Sequence, residues 1–480
     1  MTNDTQSGDK RLPPLALRAN NFISTIVNTL PYQRDFFGAI QRQFDLYGDI
    51  YTIEMMGAKQ VLIRHPDHIY TVTVKHADKY HKDNTYKHPT KGLAKFLGTG
   101  LLVSDGEFWK RQRKLMAPAF HHKRIANYAD TMVELTQQRI DEWHAAIRAN
   151  GGSPTRIDVD EAMMRATLDI VAKTLFTFDV QNDAAKVATV MNAIQEFSAD
   201  MVGQMLPEWI PLPRRAREAQ AVRDLDSIVY RAINQHKTLR EDNGDLLYML
   251  LNARDEDGTG MSDKQIRDEV VTLFLAGHET TANTLNWTWV LLAQHPEVEA
   301  KLHEELDTVL AGHAPTMDDL KNLPYTARVI KESMRLYPPA FGFSRVAIED
   351  TTIGDYDIPK GTVIMVLDWA THRDPRWYPD PLAFKPERWT PEFEESLPKM
   401  AYLPFGGGPR VCIGSAFAQM EAQILLAMLA SQFKLRLEPG QIVKPDPLLT
   451  LRPKGGLPML VEARARRIAP QPSPVLEAVI

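Results

Sequence analysis

Residues 405–414 read Phe-Gly-Gly-Gly-Pro-Arg-Val-Cys-Ile-Gly and hold Cys412, the only cysteine among 480 residues. An apolar helical pattern follows in Ala416, Phe417, Met420, Ile424, Leu425 and Met428. Where a tight turn opens a helix, backbone N–H groups point at a thiol and stabilise its thiolate. Arg410 adds a cation two residues before the sulfur. The glycines let the backbone approach a large flat ligand. A single thiol is ordinarily a buried, inert cysteine. The candidate beside that reading is a haem iron held by one axial thiolate, the ligation that promotes O–O cleavage.

A second constellation lies upstream. Ser262 and Gln265 form a capping box. The helix they open meets no proline until Pro296, about 30 residues on. That is far beyond the mean helix of ~11–12 residues, so it should cross the whole molecule. Its middle reads Ala276-Gly277-His278-Glu279-Thr280-Thr281. An interior glycine costs a helix about 1 kcal/mol relative to alanine, so Gly277 needs a reason. Ala276 and Gly277 leave room for a flat macrocycle and a small ligand. Thr280 can turn its hydroxyl to a carbonyl one turn back, and Glu279 beside it can feed protons. The plainer reading is a polar patch on a buried helix. A zinc-protease reading fails, because Ala282 stands where a second histidine is required.

Two further groupings follow the same helical logic. Glu332 and Arg335 pair across one turn, and Pro386-Glu387-Arg388-Trp389 lies downstream. Trp109 and Arg113 share one face of a helix over 107–116, beside Lys110, Arg111 and Lys114. The glycines before Cys412 lack the Gly-Lys-Ser/Thr ending of a phosphate loop.

The rest of the chain bounds the fold. Apolar residues make up 44% and charged residues 24%, as in globular proteins. A net charge of −5 gives no footing for nucleic acid, and one cysteine excludes an intrachain disulfide. No apolar run reaches the ~18–20 residues of a membrane span, and the N-terminus has no signal-peptide pattern. Helical spacing recurs at 36–46, 125–148, 160–176, 184–204 and 214–240, and after Pro296 and Pro324. Strand signals mark 50–54 with 60–64 as a hairpin, 348–358 and 361–367, and a final hairpin of 448–452 with 457–462. Residues 81–100 read as a long loop, 371–400 as a proline-rich meander. We expect a mobile arm over 1–20, a single domain over 21–466 and a mobile tail over 467–480.

The stretches Ala276–Thr281, Glu332–Arg335, Pro386–Trp389 and Phe405–Gly414, in this order, resemble the four signatures of the cytochrome P-450 family. The likeness spans about residues 40–465. It implies a mainly α fold with small β-sheets and a long central helix over a haem. Ala-Gly-His-Glu-Thr-Thr and the Pro207-Glu208-Trp209-Ile210-Pro211 connector resemble bacterial members related to fatty-acid hydroxylases. The resemblance implies Cys412 as axial ligand of a haem b iron. Thr280 would hydrogen-bond the bound dioxygen, and Glu279 would relay protons. Trp109, Arg113, Arg345 and Arg410 would hold the haem propionates, with Phe405, Ala276 and Gly277 against the ring. Glu332, Arg335 and Arg388 would form a structural triad that braces the cysteine loop.

By position, Phe96, Leu97, Leu102, Leu273, Phe274, Ala340, Phe341, Leu449 and Thr450 would line a pocket for a hydrophobic substrate. The chain ends soon after the final hairpin. Electrons from NAD(P)H are therefore expected through a separate ferredoxin, flavodoxin or reductase docking near Lys110–Lys114, in the cytoplasm, with no transmembrane anchor. A peroxygenase or isomerase, and a non-catalytic haem protein that sequesters a hydrophobic ligand, stay open as alternatives at this point.

Overall fold

A computed structural model describes residues 11–465 apart from 181, 201–202, 204–205, 207–208, 240–243 and 256. The tail expected over 467–480, the first ten residues, and Pro207 and Glu208 of the connector lie outside the described residues.

One helix organises the rest. Asp263–Gln294 runs 32 residues and opens on the expected capping box: Ser262 Oγ accepts from the Gln265 N–H, and Gln265 Oε1 accepts from the Ser262 N–H. It is buried along nearly its whole length, with Trp287, Trp289 and Leu285 at 1% exposure or less. Burial on all sides marks it as a core helix, although it carries buried Arg267, Asp268, Glu269, His278 and Glu279. The helices Val159–Phe176, Pro324–Leu336 and Ser415–Gln432 pack directly against it. Pro296 and Pro324 each stand in the first turn of the next helices, where a missing N–H costs nothing.

The sheets gather at the edges. The largest has six strands, in the order Leu15–Ala19, Ile50–Met55, Ala58–Ile63, Val363–Val366, Phe343–Ala347, Tyr80–His81. The expected hairpin forms, with Met55 opposite Ala58 across a turn at Met56-Gly57 (φ +49° and +81°).

Four expectations change. The arm expected over 1–20 ends in a strand, because Leu15–Ala19 pairs parallel with Ile50–Met55. The loop expected over 81–100 contains short helices at Asn84–Lys87 and Ala94–Leu97, which bury Phe96 and Leu97. The strand signal over 348–358 resolves into two short strands, Thr351–Ile353 and Tyr356–Ile358, paired antiparallel, and the strand Phe343–Ala347 before it, which pairs with Val363–Val366, was not expected. The final hairpin does not pair with itself. Leu451–Pro453 pairs with Pro445–Pro447, whereas Pro458–Ala463 joins Phe433–Leu437 and Thr155–Asp158. Gly455 and Gly456, at φ +83° and +87°, turn the chain away between them.

Candidate functional site

The cysteine turn is held from several directions. The Cys412 N–H donates to the Phe405 carbonyl (2.9 Å), and Arg113 Nη1 donates to the Val411 carbonyl (2.8 Å). Gly406 and Gly408 sit at φ +69° and +66°. A Cβ on Gly408 would lie 1.8 Å from the Thr73 carbonyl oxygen. That glycine is therefore required by a backbone crossing.

Cys412 has surface of its own, yet protein crowds it enough that burial raises its thiol above the usual range. Both hold for a group lining a concave internal surface. The Gly414 N–H and Arg113 pull the thiol back toward the thiolate, in that order. The expectation that Arg410 is the cation serving the sulfur changes. Arg410 turns to the Ser104 carbonyl (2.8 Å) and to Asp105, and its guanidinium stacks 3.9 Å over Trp109. A bound metal cation would complete the deprotonation that Gly414 and Arg113 only favour.

The long helix supplies the opposing surface. Ala276 is exposed, and Gly277 and Thr280 partly so, midway along a helix otherwise buried. The Thr280 hydroxyl donates to the Ala276 carbonyl at 2.8 Å, as the sequence suggested. Gly277 has a second reason besides the expected one. A Cβ there would meet Val171 Cγ2 of the neighbouring helix at 3.0 Å, so a side chain fits only if Val171 gives way. Ala276 and the partly exposed Gly277 keep that part of the face flat.

Glu279 is 3% exposed. Its Oε1 accepts from the Thr450 hydroxyl (2.8 Å) and from Gln195 Nε2. Burial is the largest influence on this carboxyl and lifts it to about 7, against Thr450, Arg452 and Gln195, with Asp160 adding to the rise. A proton donor and acceptor near neutrality results. His278 faces the other way: Nδ1 lies 2.8 Å from the Phe274 carbonyl, and burial lowers its pKa to about 4.

Positive charge collects beside the turn. Arg345 is 8% exposed, and its Nη1 donates to the adjacent Ser344 carbonyl (2.7 Å). Lys82, 6% exposed, lies 4.0 Å over the Tyr86 ring. Burial, then Arg345 and Arg410, hold its ammonium well below the usual range, against Asp105 and Asp83. Burial likewise lowers Arg345, and takes Arg410 to about 10. Lys87 joins Asp105 at 3.1 Å. Four cations thus share two carboxylates in a poorly solvated place, which is costly unless further anions join them.

An accessible thiol, a flat helix face and this cation excess together fit an iron porphyrin with two propionates. Lys82 and Lys87 escaped the sequence reading, because nothing in a polar segment marks which lysine turns inward.

The structural triad forms, with Glu332 and Arg335 fully buried and the Arg388 side chain 7% exposed. Glu332 accepts from Arg335 Nε and Nη2 (2.8 Å each), Arg388 Nε (2.9 Å), Lys385 N (3.0 Å) and Trp389 Nε1 (3.0 Å). Arg335 then holds the His372 and Pro381 carbonyls at 2.8 and 2.7 Å. His372 Nε2 accepts from the Leu403 N–H (3.0 Å), two residues before Phe405. The brace therefore reaches the cysteine turn through His372, which the sequence did not single out.

The expected substrate-pocket residues divide. Leu102, Ala340, Phe341 and Leu449 keep surface, and Leu273, 8% exposed, precedes Ala276 by one turn. Phe96 and Leu97 are core, and Phe96 packs edge-on against Phe197. Phe274 packs against Phe176 and His278, off the Ala276–Thr280 face. Thr450 is 7% exposed and is taken up by Glu279. The cationic face at 110–114 is also partly spent: Lys110 pairs with Glu107 (2.7 Å), Arg111 with Asp255 (2.8 Å), and Arg113 turns to the cysteine loop.

Comparison with known proteins agrees with this geometry. The family model described as Cytochrome P450 matches residues 18–459. Cyclooctatin synthase of Streptomyces melanosporofaciens is 36% identical over 87% of this chain and 89% of its own length. Cyclooctat-9-en-7-ol 5-monooxygenase of the same organism is 35% identical over 87% and 89%. Pentalenene oxygenase of Streptomyces avermitilis is 35% identical over 74% and 78%. No helix among the described residues is long and apolar enough to cross a membrane. With a match over nearly its full length and the thiol, helix face and triad in place, the chain belongs to the cytochrome P450 family, as an oxidoreductase of the monooxygenase class.

Proposed function

We propose that the protein uses haem b to insert one oxygen atom of dioxygen into an apolar substrate of the terpenoid or fatty-acid kind. When bound, the haem supplies dioxygen activation and oxidation of unactivated C–H bonds. The remaining work belongs to this chain's side chains. Cys412 Sγ would ligate the iron. Trp109, Arg113, Arg345 and Arg410, joined by Lys82, would hold the propionates. Phe405, Ala276 and Gly277 would lie against the ring. Thr280, whose hydroxyl donates to the Ala276 carbonyl, would serve the bound oxygen. Glu279 holds and passes protons.

The observation that carries the reading is the adjacency of Thr280, on the exposed helix face, to a buried carboxyl lifted to about 7. For the substrate class, the support is the apolar surface of Leu102, Leu273, Ala340, Phe341 and Leu449. The relatives' names add to it, since they refer to pentalenene and cyclooctat-9-en-7-ol. Electrons come from NAD(P)H through a separate ferredoxin, flavodoxin or reductase, with Lys110 and Lys114 at the rim of the docking face, in the cytoplasm.

Thr280→Ala tests the reading. The variant should still take up the cofactor and substrate but release hydrogen peroxide in place of product, with reductant consumption continuing. Unchanged product yield per reductant would refute the role. A panel of terpenoids and fatty acids, scored by the substrate-induced low-to-high spin shift, tests the substrate class. A shift with neither class would overturn it.

A further inference from the structure

Glu279 does not sit in a general polar environment. It is held by a specific constellation drawn from three elements. Gln195 comes from the helix Ala184–Ala199, Asn283 from the next turn of the long helix, and Thr450 from the turn before the strand Leu451–Pro453. All are buried: Gln195 is 2% exposed, Asn283 0% and Thr450 7%.

The direction of each hydrogen bond can be worked out. Gln195 Oε1 accepts from the Leu449 N–H at 2.8 Å. Its amide group is thereby fixed with Nε2 toward Glu279 Oε1 and 3.3 Å from Thr450 Oγ1. Asn283 Nδ2 donates to Thr450 Oγ1 at 3.1 Å. With an N–H already donated to it, the Thr450 hydroxyl directs its own proton to Glu279 Oε1, 2.8 Å away. Two donors therefore converge on one carboxyl oxygen. A proton added to this carboxyl cannot sit on Oε1 without facing them.

We infer that Gln195, Thr450 and Asn283 are positioning residues for Glu279, filling Oε1 with donors and leaving Oε2 as the oxygen that carries and releases the proton. This rests on the reading of Glu279 as proton carrier. It adds which atom carries the proton and which residues decide that. The constellation also fixes the rotamer, since the donors come from separate elements and cannot move together. Thr450 thus serves proton handling, where position along the chain suggested substrate contact.

The charged groups facing Glu279 are Arg452, on the strand Leu451–Pro453, and Asp160, on the helix Val159–Phe176. Asp160 is tied into the same polar cluster, since Asn286 Nδ2 donates to it at 2.6 Å. Burial lifts Glu279 most, and Thr450, Arg452 and Gln195 lower it in that order, while Asp160 raises it. Removing either neutral donor must therefore raise the carboxyl further. A hydrogen bond to a charged group typically carries enough energy for a shift of about one to two pH units.

The test is pH-difference infrared spectroscopy on the haem-loaded enzyme. The protonated-carboxyl C=O band of Glu279 is assigned by its loss in Glu279→Gln. Thr450→Val and Gln195→Leu should each move the midpoint of that band upward. Thr450→Ser, which keeps the hydroxyl, should restore it. The alkaline limb of kcat should move with the band while KM stays in place. Gln195→Leu leaves the Asn283–Thr450 bond intact, so it remains informative if Thr450→Val folds poorly. Midpoints unchanged in both variants would overturn the positioning role while leaving Glu279 as proton carrier. A spectrum in which Glu279→Gln removes no band would overturn both.

Discussion

Glu332→Gln is the perturbation whose cost the structure defines best. The Glu332 carboxylate accepts five hydrogen bonds, and it is the one anion that both Arg335 and Arg388 touch among the described residues. They also donate to backbone carbonyls, of His372, Pro381 and Ala383 for Arg335 and of Pro379, Asp380 and Ala383 for Arg388. Replacing the carboxylate by an amide leaves two guanidinium charges uncompensated. It also sets an NH2 group against donors. Breaking one side of a buried pair costs about 3–5 kcal/mol. Against a total stability of about 5–15 kcal/mol, that is a fifth or more.

Urea unfolding followed by circular dichroism, together with the rate of haem loss, measures the effect. Haem loss should accelerate, because Arg335 holds the His372 carbonyl and His372 holds Leu403 beside the cysteine turn. The internal control is Lys321→Ala, which breaks the exposed Lys321–Asp318 pair (73% and 88% exposed). That change should cost under about 0.5 kcal/mol. A Glu332→Gln variant within about 1 kcal/mol of the parent, with unchanged haem retention, would refute the reasoning.

The remaining predictions are more local. Gly408→Ala should largely abolish haem incorporation, since its Cβ would sit 1.8 Å from the Thr73 carbonyl at φ +66°. Absorbance of the purified protein checks this. Gly277→Ala meets only Val171 Cγ2 at 3.0 Å, so its smaller loss of thermal stability should be relieved by Val171→Ala. Glu269 accepts the Leu101 N–H at 2.8 Å, yet burial, with Asp268, pushes its carboxyl up to about 8 from 4.5. The folded state then keeps a proton that the unfolded chain has lost. Stability present below pH 4.5 should decline as pH rises toward 8, and denaturation of Glu269→Gln across that window should show a flatter slope.

What the sequence disclosed follows the range of the interactions involved. The capping box at Ser262, the prolines at 296 and 324, and the Thr280–Ala276 bond are settled within about one helical turn, and each was readable. The Glu332–Arg335 pair was readable for the same reason, and Arg388 only through the family resemblance. Pairings across long separations were not readable. Leu15–Ala19 joins the sheet through Ile50–Met55, and Pro458–Ala463 finds Thr155–Asp158. The site shows the same division. Cys412 and Glu279 stand out by local pattern, whereas Gln195 reaches Glu279 from 84 positions away, and nothing in its own helix marks it. Lys82 turns inward because Asp105 takes its backbone N–H (2.8 Å), a contact 23 positions off.

The central claim is that Cys412 is the axial ligand of a haem iron. The carbon-monoxide complex of the reduced protein tests it most directly. Wild-type protein should show the red-shifted Soret band of a thiolate-ligated complex, and Cys412→Ser should lose that band while keeping its helical circular dichroism. A wild-type spectrum of the imidazole type, or a thiolate band that persists in Cys412→Ser, would contradict the account.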